Sequence, residues 1–415
     1  MSTVTWRGDG VAVAQVTTIA ITGVWATSDT ATITINGKDV VFTVAAAVTI
    51  ADIVAGVVAA FNASTIPEFT EITASGAASP ITLTADTAGV PFVVTRSETT
   101  AGTGALGTVT EATASEGPND WSTAENWSSD TVPVNSDAVV IPSGSVSIKY
   151  GLAQSAVTLA SLTIDHAYTG EIGLRNINAS GAYDEYRDKY LQIGATAVTI
   201  GNGTGSGSQM MKLDFGSVQS AVSIKNTSTA GVESNPPITI IGTHASNALY
   251  VTKGFVGVAY ESGQVATFAT VSSSYFTNKT TDIKLRLGTG CTLTNIVQDG
   301  GDLEVNSATT TIQSDGGIIR VNAGVHTSIV LNGGVAKYNS TGTITTAKIS
   351  DLSSIDFSED QQACTVTNCE MYNGSTLVDP LRTVTFTNGI DLVQTKISSV
   401  SIDLGSNFTV TPSAI

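Results

Sequence analysis

Three consecutive stretches of the chain share one frame: DGGDLEVN from Asp299, DGGIIRVN from Asp315 and NGGVAKYN from Asn332. Their first residues lie 16 and 17 positions apart, and seven residues after each comes an asparagine: Asn306, Asn322 and Asn339. A unit this short, with a two-glycine turn, one brief strand and a polar corner, cannot bury an apolar face alone. It becomes stable by stacking on its neighbours, so the repeat predicts a mainly β chain wound as a parallel β-solenoid, or β-helix. Successive levels of such a coil rise about 4.8 Å, and equivalent residues fall into columns. An asparagine at the same corner of each level can donate its amide to the next and satisfy polar groups that the corner frees. Glycine supplies the positive φ of the bend. A second recurrence, a hydrophobic residue followed by Thr-Asn, ends at Asn278, Asn295, Asn368 and Asn388 and points to further structural asparagine columns.

Composition agrees with this reading. Charged residues are 13% of the 415, against about 25% in an ordinary globular chain, and there are 40 glycines. From about residue 130 onward, short runs such as SLTI, VSIKN, ITIIG and IKLRL are separated by Gly, Asn, Asp and Ser. Assigning residues 131–415 to the solenoid, at roughly 17 to 22 residues per level, predicts about 13 to 16 levels and a rod about 65 to 75 Å long. A calcium-binding nonapeptide solenoid would need repeated GGxGxDxUx, and DGGDLEV and DGGIIRV lack its second Gly and its Asp.

The first 113 residues follow a different pattern. ATITING turns at Asn36-Gly37, a hairpin signal, and KDVVFTV returns. Thr49 and Asp52 form a capping-box pair ahead of Ile50, Ile53, Val54, Val57, Val58 and Phe61, whose spacing predicts a helix ending near Asn62. The strands FTEITAS and ITLTADTAGVPFVVTRS follow, so residues 1–113 read as a small α+β unit. The stretch 99–120 is a linker or edge strand, and residues 114–130 include Trp121 and Trp127. That pair is expected to plug the end of the solenoid core, with a sugar-stacking platform as the other reading.

The 18 basic and 35 acidic residues leave a net charge of −17, which disfavours nucleic acid and anionic membrane surfaces as partners. No basic and apolar secretory leader precedes the first strand, and no apolar run reaches the ~18 residues of a membrane span. Cys291, Cys364 and Cys369 read as small buried side chains, and His166, His244 and His326 lack metal-ligand spacing, so neither cofactor nor metal is expected. Catalysis on such a scaffold would need paired carboxylates across a groove. Asp299, Asp302, Glu304, Asp315, Asp356, Glu359 and Asp360 are the candidates, but Asp299 and Asp315 hold a turn position that Asn332 also fills, so no catalytic residue is assigned. The densest polar patch is AYDEYRDKYLQ, residues 182–192. Its Tyr183, Tyr186, Arg187 and Tyr190 offer a contact surface for a protein or a glycan; a solvated loop is the plain alternative.

The run WRGDGVAVAQVTTIAI, ATITINGKDVVFTV, TIADIVAGVVAAFNAS, PEFTEITAS and ITLTADTAGVPFVVT resembles a domain at the N-termini of tailed-bacteriophage virion proteins, over about the first 100 residues. DWSTAENWSSDTVP is similar to lead-ins of β-solenoids in bacterial surface proteins and phage fibres. The resemblance implies a non-enzymatic virion structural protein, assembled in the host cytoplasm and released by lysis. It would dock on capsid or tail proteins and project a rod, as capsid decoration or head fibre, with homotrimer assembly expected. A tail fibre or tailspike that binds or degrades host surface polysaccharide is the alternative, and an exported adhesin a further one.

Overall fold

The computed structural model describes residues 2–46, 48–201, 210–225, 236–274, 283–350, 352–360 and 362–405. The chain is mainly β, and most of its strands belong to one large parallel sheet, an arrangement compatible with a β-solenoid. Through most of that sheet a strand pairs with the one two places further along, as Ala221–Ile224 does with Ala248–Val251 and Ile238–Ile241 with Gly254–Val258. Two parallel ladders result, and their inward residues meet in a single apolar cluster.

The first ladder contains a column of thirteen residues in direct register: Val4, Val139, Leu162, Val198, Val222, Leu249, Val271, Ile296, Ile312, Ile329, Ala347, Cys369 and Ile390. Twelve spacings of about 4.8 Å make it about 58 Å long. The second ladder supplies a matching column from Met211 through Leu303 and Ile319 to Ile402. Alternation of inward aliphatic and outward polar residues holds each strand in register, because a slip of one residue would turn the apolar set outward.

The turns from one level to the next are unequal in length. Levels at Asn295, Thr311, Ser328 and Thr346 follow each other at 16, 17 and 18 residues, as the repeat requires. Between Ser161 and Ala197 one level takes 36, and the surplus forms the excursion that contains residues 182–192. The strand Thr3–Thr5, grouped by the sequence with residues 1–113, pairs instead with Ala138–Val140 and forms the outermost level of the sheet.

Between that strand and Trp127, the chain builds two small antiparallel sheets and a helix with their own apolar cluster. The hairpin Thr30–Ile35 and Lys38–Thr43 turns at Asn36 and Gly37, both at positive φ. Helix Ile50–Asn62 carries the reciprocal Thr49–Asp52 capping box and buries Ile53, Val54, Val57 and Phe61. Strand Ile72–Ser75 pairs with Ile81–Ala85, while Ala105–Thr113 lies at the edge of the four-stranded sheet. Among the described residues no helix is long and apolar enough to cross a membrane.

Gly317, at φ +85°, sits directly above Gly301, and a Cβ on it would lie 2.5 Å from the Gly301 carbonyl oxygen. Gly263, at φ +80°, has open space where a methyl group would stand, with nothing within 4 Å. Gly263→Ala should therefore cost only the left-handed backbone penalty of about 1–2 kcal/mol, and Gly317→Ala at least twice that, by urea unfolding.

Candidate functional site

The repeat asparagines line up one above another. Asn322 Nδ2 donates to Asn306 Oδ1 at 3.1 Å and Asn339 Nδ2 to Asn322 Oδ1 at 3.2 Å, while Asn306 Nδ2 reaches the Leu287 carbonyl at 3.1 Å. Their backbone amides stack too: Asn306, Asn322 and Asn339 donate to the carbonyls of Leu287, Val305 and Val321. On the other ladder Asn295 and Asn368 share a column with Thr311, Ser328 and Thr346. Asn388 Nδ2 donates to Asn368 Oδ1 at 2.7 Å, and Asn368 Nδ2 to the Thr345 carbonyl at 3.2 Å. Asn278 lies outside the described residues.

Beside the first asparagine column runs a column of charge. Arg286, Glu304, Arg320, Lys337 and Asp356 occupy one outward register position on five successive levels. Arg286 Nε is 3.0 Å from Glu304, Arg320 Nη1 is 2.6 Å from Asp302, and Glu304 also accepts from Asn322 at 3.0 Å. Glu359 is held by Lys337 at 3.0 Å and by Asn339, and Lys337 with Asn339 keeps its carboxyl below the usual range. Asp302, Glu304 and Glu359 are thus tied to cations and amides of neighbouring levels. Asp315 accepts from Asn332 at 2.7 Å, turn residue to turn residue.

At the opposite end, Trp121 and Trp127 are fully buried beside the outermost strand. Trp127 packs edge-on against Trp121 at 4.5 Å and Trp6 at 5.0 Å, and its Nε1 donates to the Trp121 carbonyl. Ser128 N donates to the Thr5 carbonyl, which fixes this aromatic group against the last level. Between the two tryptophans lies a residue that the sequence reading passes over, Asn126. Its Oδ1 accepts from Gly10 N, and its Nδ2 donates to the Gly117 and Asp120 carbonyls, each at 2.7 Å. One side chain therefore pins both connections between the parallel sheet and the N-terminal unit, at Gly10 and at Gly117 and Asp120. Burial lifts the neighbouring Asp120 carboxyl to about 6, against a hydrogen bond from Ser122 N that lowers it.

The polar patch of residues 182–192 faces the chain's own N-terminal segment. Tyr183 Oη donates to the Glu71 carboxylate at 2.7 Å; Arg187 donates to Glu185 at 2.8 Å, to the Tyr183 hydroxyl at 2.9 Å and to the Pro91 carbonyl at 3.1 Å. Asn36 bridges the Asp184 carbonyl and the buried Glu68, which also pairs with Lys38 at 2.7 Å. Burial would raise Glu68, but Lys38 and Asn36 outweigh it and hold the carboxyl low. Burial also works against the Arg187 charge, and Glu185 more than offsets it. Tyr186 packs on the N-terminal apolar cluster, with the Arg187 guanidinium 5.0 Å from its ring. Tyr190 lies apart from this group, accepting from Gln264 beside the Lys212–Glu261 pair. That pair borders a 970 Å³ cleft whose other cations, Arg175 and Lys149, both face Glu171.

His326 was unassigned in sequence and is completely buried, in the inward column between Thr309 and Ile344. Its Nδ1 lies 3.1 Å from Thr309 Oγ1, and its Nε2 has no partner. Burial depresses it to about 4, so it is neutral at pH 7. Cys291, Cys364 and Cys369 are buried free thiols, each pushed by burial up to about 12. Among the described residues no three His, Cys, Asp or Glu side chains gather as a metal site.

Comparison of the chain with family models, with curated proteins and with solved structures found no match. Nothing in them identifies a phage protein.

Two measurements test the electrostatics. Glu185 and Arg187 are both buried, so Arg187→Met strands a carboxylate and should cost about 3–5 kcal/mol, while the Glu185→Leu/Arg187→Met double variant should recover most of it. For His326, the folded value lies below the unfolded ~6.5, so the unfolded chain binds more protons between them. Its contribution is complete above pH ~6.5 and is lost as pH falls toward 4. Wild type should lose up to about 3 kcal/mol relative to His326→Leu between pH 7 and pH 4 in chemical unfolding.

Proposed function

We propose that the chain is a structural component of a bacteriophage particle, a β-solenoid rod with a small α+β unit set into its sealed end. The α+β unit docks on the particle and the rod projects, most simply as capsid decoration or a head fibre. The observation that carries this reading is what the outward carboxylates do. Asp302, Glu304 and Glu359 are joined to Arg286, Arg320, Lys337 and the asparagine column, which makes them parts of a strut rather than a reactive pair. Attachment also needs a fixed angle between the docking unit and the rod. Asn126 at the neck and the Tyr183–Glu71 and Arg187–Pro91 contacts at the side supply two separate points of fixation.

The resemblance of about the first 100 residues to a domain at the N-termini of tailed-bacteriophage virion proteins supports this setting, and the net charge of −17 suits a surface that repels nucleic acid. Purified chain mixed with phage particles lacking it should bind heads and be seen there by electron microscopy. Binding to tails alone would move the role to a fibre or spike, and no binding to either would end the proposal. A polysaccharide-degrading spike predicts sugar release that Glu304→Gln abolishes. The strut reading predicts no release from host surface glycans and a less stable Glu304→Gln variant.

A further inference from the structure

Lys212 is only 5% exposed, a rare place for an ammonium, and its surroundings assemble the three groups of one reaction. It lies on the strand Met211–Asp214, in register with Thr239 of the next level. Its Nζ donates to Asn176 Oδ1 at 2.8 Å and to Glu261 Oε1 at 2.8 Å, and Asn176 Nδ2 donates to the same Glu261 oxygen at 3.0 Å. The three side chains close a ring of contacts. An ammonium only donates and a carboxylate only accepts, so the amide can stand one way round, with its oxygen toward Lys212 and its nitrogen toward Glu261. The amide carbon is one C=O bond beyond that oxygen and so lies within about 4 Å of the lysine nitrogen. Each member comes from a different part of the fold. Asn176 belongs to the long turn between Ile164 and Leu191, where Glu185 N donates to its carbonyl. Glu261 follows the strand Gly254–Val258, with its backbone amide and its second carboxylate oxygen both held by Gln264. Gly173, at φ +93°, lets the turn close on Lys212, since a Cβ there would stand 3.0 Å from the Lys212 Cβ and 2.4 Å from the Lys189 carbonyl oxygen. The Tyr190 ring, 5.3 Å from Nζ, covers the lysine.

From this we infer that the folded chain forms an intramolecular isopeptide bond between Lys212 Nζ and Asn176 Cγ, with Glu261 as its proton relay. The Glu261 carboxylate takes a proton from the Lys212 ammonium, and the neutral amine attacks Cγ of Asn176. Glu261 hands that proton to Nδ2, then takes a second from the attacking nitrogen and passes it the same way. The Cγ–Nδ2 bond breaks, Nδ2 leaves as ammonium, and the new C–N amide bond remains. Charge is conserved, Glu261 ends as the carboxylate it began as, and the step balances without an oxidant or co-reactant. Burial favours the neutral amine that must attack, while Glu261 opposes it by stabilising the ammonium. Holding amine and amide carbon side by side replaces an encounter between free groups. The same trio of residue types recurs at Lys38, Glu68 and Asn36 and at Lys337, Glu359 and Asn339, where the glutamate is the shared partner of the other two. In both, lysine and asparagine are neighbours but one in sequence, and a bond between them would join nothing distant. Lys212 and Asn176 are 36 residues apart. Their bond fastens the turn that carries Tyr183 and Arg187 covalently to the parallel sheet. This chemistry lies beyond the particle role proposed above and does not depend on it.

Tryptic digestion of the purified, then denatured, full chain tests the bond. Cleavage after Arg175, Arg187, Lys189, Lys212 and Lys225 frees the peptides 176–187, 190–212 and 213–225. The isopeptide bond blocks cleavage after Lys212 and gives one branched peptide, 176–187 joined to 190–225, lighter than its two parts by one ammonia. Tandem mass spectrometry should find that branched peptide in wild type and in the control Lys337→Arg. Lys212→Arg, Asn176→Ala and Glu261→Gln should each leave the two segments unlinked, with circular dichroism reporting the fold of every variant. If one variant loses its fold, the other two carry the comparison, and the wild-type digest stands on its own. Recovery of 176–187 and 190–212 as free peptides from wild type overturns the bond, as does an ammonia lost instead at an Asn-Gly pair such as Asn36-Gly37. A branched peptide that persists in folded Glu261→Gln overturns the assigned relay.

Discussion

Parallel backbone hydrogen bonding between one level and the next is the constraint on which the rest of this molecule depends. It fixes the rise at about 4.8 Å and places like positions over like positions, so whatever one level puts at a corner must be compatible with the same corner above and below. Apolar side chains then form the continuous Val4-to-Ile390 column, glycines can approach as closely as Gly301 and Gly317, and asparagines can share hydrogen bonds. Like charges stacked in this way repel; Arg286, Glu304 and Arg320 alternate, and where Arg320 and Lys337 stand on adjacent levels Asp302 and Glu359 pair with them from the side.

A coil of this kind has two ends that expose core, and the chain treats the N-terminal one with care. Trp6, Trp121 and Trp127 close it, and the strand Thr3–Thr5 is its outermost member although the small antiparallel unit separates it from the rest of the sheet by more than a hundred residues. That unit is thereby an insertion into the sealed end, with both connections held at Asn126. The long turn carrying Tyr183 and Arg187 adds a lateral brace. A unit fastened at two places keeps a fixed orientation to the parallel sheet, whereas one on a single flexible linker would not.

Local features of this architecture were legible in the sequence. The Thr49–Asp52 box, the Asn36-Gly37 turn and the asparagine repeat each declare themselves within a few residues, because the physics behind them is local or strictly periodic. Non-local features were not. Nothing near Thr3 announces pairing with Ala138, and the tyrosine patch reads equally as an outward contact surface until Glu71 and Pro91 are placed against it. Turn lengths vary from 16 to 36 residues, so the repeat predicts a range of levels rather than a single number. His326 falls at the position of Ile344 in the next level, so an alignment of levels would have marked it as an inward residue.

The coil itself is tested most directly by a distance along it. Val140 and Gln313 share one outward column seven levels apart, and the three native thiols are buried. Spin labels on Val140→Cys and Gln313→Cys, diluted with unlabelled chain, should give a narrow distribution near about 34 Å by pulsed electron resonance. A broad distribution, or a narrow one shorter or longer by a third, would contradict a chain wound in stacked levels.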